Sequence, residues 1–456
     1  MKTYEVVVIG TGTAGQTAAI EISSHGLKVA VIEQSIEPGG VCAMHGCQPK
    51  KFFYEAAETV ARCRHLLGKG ITGEPDVSWG DILKEKNKFT SPIPEHTVNG
   101  LKGSGIDFFE GTAVFTGAQT LAAGDEDIKG RYIIIATGAE PADLPVKGSD
   151  LMITSNDYLS LNRLPGRIAF VGGGFISFEF AHFAARLGSR PGDIHIIESQ
   201  NNVLRSFDSD MVRELIAASK DEGITIHTGV KLIEIIKKAD YFQVIGESDP
   251  DIEVDLVVNG AGRRPNIQSL NLEAAGIAYS GAGITVDRTM RTSNHNVFAV
   301  GDCASTVQLA RVADMEAKTA ANAILNELDG RNCNPMDYDV IPTVLFTYPQ
   351  LGMVGKTEEQ LQKEDVKYWK SSDTNLAWPT YRRIGLRHAA YKILVDAHEH
   401  ILGAHFLSDN TTGLVNTFAQ AMRGGVTVSK LLESSILSPY PSRESDILYM
   451  LSPLVE

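Results

Sequence analysis

Short β-branched runs alternate with amphipathic stretches along this 456-residue chain. Val6-Val7-Val8-Ile9 is apolar on both faces and reads as a buried parallel strand. It leads through Gly10-Thr11-Gly12-Thr13-Ala14-Gly15 into Gln16 to Ser24, where the apolar spacing is helical. A second strand, Val29-Ala30-Val31-Ile32, ends in Glu33. The same order returns later. Arg167 to Val171 reads as a strand, Gly172 to Ser177 as a glycine turn and Phe178 to Leu187 as a helix. After a turn at Arg190 to Asp193, Ile194-His195-Ile196-Ile197 forms a strand ending in Glu198. Between these units, Arg131 to Ala136 is a strand entering Thr137-Gly138. Further on, Asn296 to Val300 enters Gly301-Asp302. From about Asp337 the texture changes to strand-like runs (343–347, 391–396, 401–407) around helical segments (358–364, 413–423).

Strand, glycine turn, helix, strand and acid make up a dinucleotide-binding pattern. The first glycine allows the tight turn, the second lets the backbone approach a pyrophosphate, and the third lets helix and strand pack closely. The helix N-terminus then offers N–H groups and positive dipole to the phosphates. Glu33 falls where an acid bonds a ribose diol. The bland alternative is a tight turn with no ligand. Two such units imply two cofactors, and so electrons passing from a nicotinamide to a flavin.

Charge narrows the partners. Lys plus Arg number 42 against 56 Asp plus Glu, a net charge of −14, which argues against nucleic acid or an anionic membrane. No stretch approaches the roughly 18 apolar residues of a membrane span. Met1-Lys2-Thr3 runs straight into a strand without a signal-peptide core, so a cytoplasmic location is expected. Five cysteines in a chain this long are not a disulfide scaffold. Cys42 and Cys47 form a C-x4-C pair that admits three readings. Two unlinked core thiols are one. Zinc is a second, but it wants four ligands and only His45 is near. A redox bridge is the third, provided the Cα atoms come within about 5.5–6 Å. No resident metal is expected. Cys63, Cys303 and Cys333 are isolated and read as buried, inert thiols.

The segment Pro38-Gly39-Gly40-Val41-Cys42-Ala43-Met44-His45-Gly46-Cys47-Gln48-Pro49-Lys50-Lys51, set between the two nucleotide units, resembles the pyridine nucleotide–disulfide oxidoreductases with a C-x4-C redox centre. That family includes glutathione reductase, dihydrolipoamide dehydrogenase and mercuric reductase. The ordered motifs Ala136-Thr137-Gly138, Gly172 to Glu179, Gly262-Arg263-Arg264-Pro265-Asn266 and Ala299-Val300-Gly301-Asp302 carry the resemblance through the chain, and Pro342-Thr343 opens its last part. The resemblance implies an α/β fold of two Rossmann-like domains and a C-terminal α+β dimerisation domain. An FAD-binding domain would span 1–148 and 281–335, an NAD(P)-binding domain 149–280 and the dimerisation domain 336–456.

It also implies roles. FAD would lie against Gly10, Gly12, Thr13, Ala14 and Gly15, with Glu33 on its ribose. Gly40, Val41, Ala136, Thr137, Gly138, Gly262, Arg263, Gly301 and Asp302 would complete the cofactor sites, Asp302 on the ribitol or pyrophosphate side of FAD. Cys47 would be the sulfur nearer the flavin and Cys42 the one exposed to substrate, with Lys51 by the flavin and paired with Glu179. The nicotinamide nucleotide would lie on Gly172, Gly174, Phe175 and Ile176, with Phe175 as an apolar lid. Glu198 at the strand end favours NAD(H), since a carboxylate accepts from a ribose 2′-OH and repels a 2′-phosphate. Arg205 is the one nearby cation that would keep NADP(H) open.

Two departures bear on the acceptor. Where the family ends in a His-Pro-Thr-type segment followed by Glu, this chain has Leu437-Ser438-Pro439-Tyr440-Pro441-Ser442-Arg443-Glu444, and no His follows His405. Tyr440 stands in as a proton donor or as an interface aromatic, and Glu444 as the acidic partner. Ile20 and Glu21 occupy the positions where glutathione reductase carries arginines. Arg311 and Lys318 read as a solvated helix face, and His45 as a spacer or a local acid/base. The expected activity is NAD(P)H-driven reduction of a disulfide by a homodimer with a shared active site, with dithiol oxidation as the reverse direction. The alternatives are a flavin reductase of a quinone, metal ion or oxygen, and a nicotinamide-binding regulatory protein.

Overall fold

The computed structural model describes residues 1–247, 251–374 and 376–455. The chain divides into two compact units. The first gathers Met1–Phe52, Leu83–Ala142 and Gly262–Asp337, and the second Phe53–Ile82, Asp143–Ala261 and Tyr338–Glu456.

In the first unit, β1 (Lys2–Ile9) runs through the middle of a seven-stranded sheet, with Val6, Val7 and Val8 fully buried. Burial on both faces explains the unbroken apolar run. The helix α1 (Thr13–Ser24) follows, and then β2 (Val29–Glu33), parallel to β1 with Ile9 opposite Ile32. Two further helices are α2 (Gly40–Met44) and α3 (Cys47–His65). The strand β3 (Glu126–Ile135) lies parallel on the other side of β1, Ile9 opposite Ile135, and Val297–Ala299 pairs in parallel with β3. This register brings Gly10, Glu33, Ala136 and Val300 out at one edge, the carboxyl ends where open α/β sheets bind ligands. The helix Ala310–Leu328 packs against α1.

The second unit has a four-stranded parallel sheet. It contains β4 (Ile168–Val171), the helix α4 (Phe175–Leu187), β5 (Ile194–Glu198) and β6 (Leu256–Asn259), with Ile224–Thr228 at the edge beside β5. Its C-terminal part is a five-stranded antiparallel sheet in the order 343–345, 350–355, 401–408, 390–395 and 369–373. Helix Thr411–Arg423 seals one face, with Leu414, Val415 and Phe418 in one core with Ile393, Ala404 and Phe406.

Both helices after the glycine turns begin earlier than their apolar spacing indicates, at Thr13 rather than Gln16 and at Phe175 rather than Phe178. The first turns are closed by Gln16 N–H on Gly12 O at 3.0 Å and Phe178 N–H on Gly174 O at 3.2 Å. Thr13 to Gly15 and Phe175 to Ser177 are therefore helical, which aims their N–H groups out of the N-terminus. Among the described residues no helix is long and apolar enough to cross a membrane.

Candidate active site: two glycine turns and a dithiol

The first turn is shaped by what a side chain would strike. Gly10 has φ +106°, and a Cβ there would stand 2.5 Å from the Ala136 carbonyl oxygen. A Cβ on Gly15 would collide with the Gly10 carbonyl. Gly12 is different, since its nearest neighbour would be Gly40 Cα at 3.9 Å. Gly12 also caps α1 without a side-chain hydrogen bond, so the first N–H groups of the helix have no side-chain acceptor at the cap. Gly40 closes one side: at φ +76° a Cβ on it would collide with Gly12 Cα. Glu33 holds the turn. One carboxylate oxygen accepts from Thr11 N at 2.8 Å and the Thr11 hydroxyl at 2.5 Å, and the other from Ser35 N at 2.8 Å. The Thr11 hydroxyl in turn accepts from Gly39 N at 3.0 Å.

A second loop cluster in this unit surrounds Thr137-Gly138. Asn266 N–H donates to Gly138 O at 3.0 Å, Arg263 donates to Ala139 O, and Arg264 reaches Glu140 at 2.9 Å. Gly301 N–H donates to the buried Glu316 carboxylate at 2.7 Å. Burial pushes the Asp302 carboxyl up, and Arg263 pulls it back. An uncapped helix N-terminus, a side-chain-free gap at Gly12, an acid at the end of β2 and a half-buried Asp302 suit the pyrophosphate, ribose and ribitol of FAD. These residues fit that cofactor.

Cys42 lies on α2, and Cys47 is the first residue of α3. The two cysteines are half-buried and near each other. The Cys42 thiol is pushed far up, first by its hydrogen bond with Cys47, then by burial, and further by the charges of Cys47 and Asp314. Lys51 sits one helical turn beyond Cys47 and half-buried. His45 caps α2 and lies 3.9 Å from Glu37. Among the other thiols, Cys303 is fully buried, and burial pushes it to about 11. Cys63 and Cys333 are only half-buried, which corrects the reading of both as interior thiols. Each sits on a partly wet face that spacing alone does not reveal.

In the second unit Gly172 has φ +104°, and a Cβ on it would stand 2.5 Å from Ala261 Cα. Gly173 N–H donates to Glu198 at 2.7 Å, while the other Glu198 oxygen accepts from Gln200 N at 2.8 Å and Ser199 Oγ at 3.1 Å. Gly174 caps α4 without a side-chain bond, and its Cβ would meet only Gly260 O, at 4.0 Å. Phe175 packs on Phe207 with ring centroids 5.3 Å apart, Ile176 is half-buried, and Arg205 is exposed. Glu179, 2% exposed, accepts from Phe346 N at 3.0 Å. In the C-terminal segment Tyr440 is 66% exposed, with the Arg383 guanidinium 5.9 Å from its ring centre. Glu444 lies against Gly413. Sequence patterns miss Thr11, Gly260, Asp314 and Glu316. Gly260 alone leaves a local signal, a glycine just after the apolar run of β6.

Two open helix N-termini on two nucleotide-type sheets, with a dithiol beside one of them, define a two-nucleotide flavoprotein disulfide reductase. The family model described as pyridine nucleotide-disulphide oxidoreductase matches residues 4–317, and that of its dimerisation domain matches residues 341–446. The chain belongs to this family, whose cofactors are FAD and NAD(P)H, and the dimerisation domain supports a homodimer. It is 31% identical to a dihydrolipoyl dehydrogenase of Thermus scotoductus over 459 residues, 98% of this chain and 96% of that one. It is 29% identical to a glutathione reductase of Burkholderia cepacia, covering 93% of each. Among solved structures, the HOCl-induced flavoprotein disulfide reductase RclA from Escherichia coli superposes with a TM-score of 0.87. The identity is 27%, over 99% of this chain and 100% of that one.

Proposed function

We propose that this protein reduces a low-molecular-weight or protein disulfide at Cys42 and Cys47, with the balance NAD(P)H + H⁺ + RSSR → NAD(P)⁺ + 2 RSH. The proximity of the two sulfur-bearing residues, Cys42 on α2 and Cys47 at the start of α3, carries the reading. FAD, when bound, supplies the two-electron relay between a nicotinamide and the sulfur pair. The chain's own residues do the rest. α1 and Gly12 hold the pyrophosphate, Glu33 the ribose, and Asp302 with Arg263 the ribitol side. The Cys42 sulfur attacks the substrate disulfide, and its proton leaves with the first thiol released. Cys47 then displaces the second thiol and closes the bridge. Lys51 and Glu179 order the flavin side, and Tyr440 with Glu444 serve the departing thiolate across a shared dimer site. The three-part domain division and a cytoplasmic location belong to the same proposal.

Replacing Cys42 with Ser should abolish disulfide turnover while nicotinamide-driven bleaching of the flavin persists. Disulfide reduction that survives Cys42→Ser removes the assignment. The missing C-terminal His favours a second reading, electron delivery to a quinone, metal ion or oxygen, and that activity should survive the same substitution. Glu198 supports NAD(H) over NADP(H), because its two oxygens already hold the turn and leave only negative charge toward a 2′-phosphate. The ratio of kcat/KM for NADH to that for NADPH should exceed about tenfold, and a preference for NADPH would reverse this choice.

A further inference from the structure

The helix Ala310–Leu328 packs on α1 and brings Asp314 to its first residue, Thr13. Its carboxylate is 17% exposed and accepts from the Thr13 hydroxyl on one oxygen and from Arg311 at 3.1 Å on the other. Thr13 follows Gly12, which touches Gly40 backbone to backbone, and Cys42 lies two residues beyond Gly40. These contacts link Asp314 to the segment that carries Cys42, and Asp314 is one of the charges that hold the Cys42 thiol up. Arg311 offsets little of that charge, because its side chain is 95% exposed and water screens such pairs. Other charged groups on or near this segment include Cys47, the His45–Glu37 pair, Lys50 and Lys51 in the first turns of α3, and Arg263, which interacts with Cys47. α1 adds no cation over Thr13–Ser24 and one acid, Glu21. Ile20 and Met315, on the two packed helices, are 43% and 54% exposed.

We propose that Asp314 is a charge filter for Cys42: its carboxylate disfavours anionic disulfides and favours uncharged or cationic ones. This rests on the disulfide reductase reading and names the substrate class of the same site. Asp314 is a positioning residue that acts through the field at the sulfur. A thiolate meeting a substrate anion already faces one like charge, and a second fixed anion nearby raises that penalty.

The test compares two alkylating reagents on the reduced holoprotein, anionic iodoacetate and neutral iodoacetamide, with labelled Cys42 followed by peptide mass. Taking the ratio of rates cancels the thiolate fraction and leaves the charge effect. Asp314→Asn should raise the iodoacetate-to-iodoacetamide ratio about two- to fivefold, while Asp314→Glu should leave it near wild type. High salt should raise the wild-type ratio in the same sense, which needs no variant. In turnover, the preference for hydroxyethyl disulfide over glutathione disulfide should shrink by a similar factor in Asp314→Asn. A ratio that moves with neither the Asn variant nor salt overturns the filter. A ratio that shifts as expected in a protein that turns over no disulfide leaves the filter standing and overturns the enzymatic reading instead.

Discussion

The two glycine turns solve the same problem with different third residues. Both begin with a glycine at φ just above +100°, both end in an uncapped helix, and both are tied by a strand-end glutamate accepting from a turn N–H. In the first unit the third position is Gly15, where any Cβ strikes the Gly10 carbonyl. In the second it is Ser177, fully buried, with its hydroxyl lacking a hydrogen-bond partner. The helix there stands far enough from Gly172 to admit a side chain, and the neighbouring strand gives way instead. Gly260 sits where a Cβ would collide with Ser177 Oγ and stand 3.2 Å from Val171 O. One turn makes room within itself, and the other borrows it from the residue after β6. A glycine fingerprint therefore records where space is needed, not which chain segment supplies it.

The sharpest way to break the comparison is at the shared first glycine. Gly10→Ala and Gly172→Ala each force a Cβ against backbone 2.5 Å away at a left-handed φ, at a cost of roughly 3 kcal/mol or more. If the turns serve different nucleotides, the losses should differ in kind. Gly10→Ala should purify without flavin. Gly172→Ala should retain flavin and lose its reduction by nicotinamide, as absorbance under anaerobic NADH titration would show. Loss of flavin from Gly172→Ala alone would invert the assignment of the two turns.

The contrast also marks how far the sequence was legible. Gly10 and Gly172 are readable because their positive φ demands glycine. The Cys42–Cys47 pair was readable because the loop between α2 and α3 is short. Contacts set by tertiary packing were not readable. Thr13 and Asp314 are 301 residues apart and meet only because two helices pack side by side. Glu33 and Glu198 were read as ribose ligands, yet in the fold each also anchors its own turn, which a strand-end acid does not announce. The helix starts were placed late because Thr13 to Gly15 and Phe175 to Ser177 lack the apolar spacing of the segments they open. Cys63 and Cys333 escape a sequence reading because an isolated thiol carries no periodicity of its own.

A smaller effect tests the borrowed space directly. Gly260→Ala should destabilise the second unit by about 1–3 kcal/mol through overpacking against Ser177, with weakened NADH binding and flavin retention unchanged. Ser177→Ala removes the atom in the way, so the double variant should recover most of that loss, leaving only the 3.2 Å approach to Val171 O. Alone, Ser177→Ala should be neutral or stabilising by up to about 1 kcal/mol, since it deletes a buried hydroxyl that the protein leaves unsatisfied. Equilibrium unfolding of the four proteins forms a double-mutant cycle. A coupling energy near zero would mean that Gly260 is required by the Val171 carbonyl alone. The second turn would then make its own room, as the first one does.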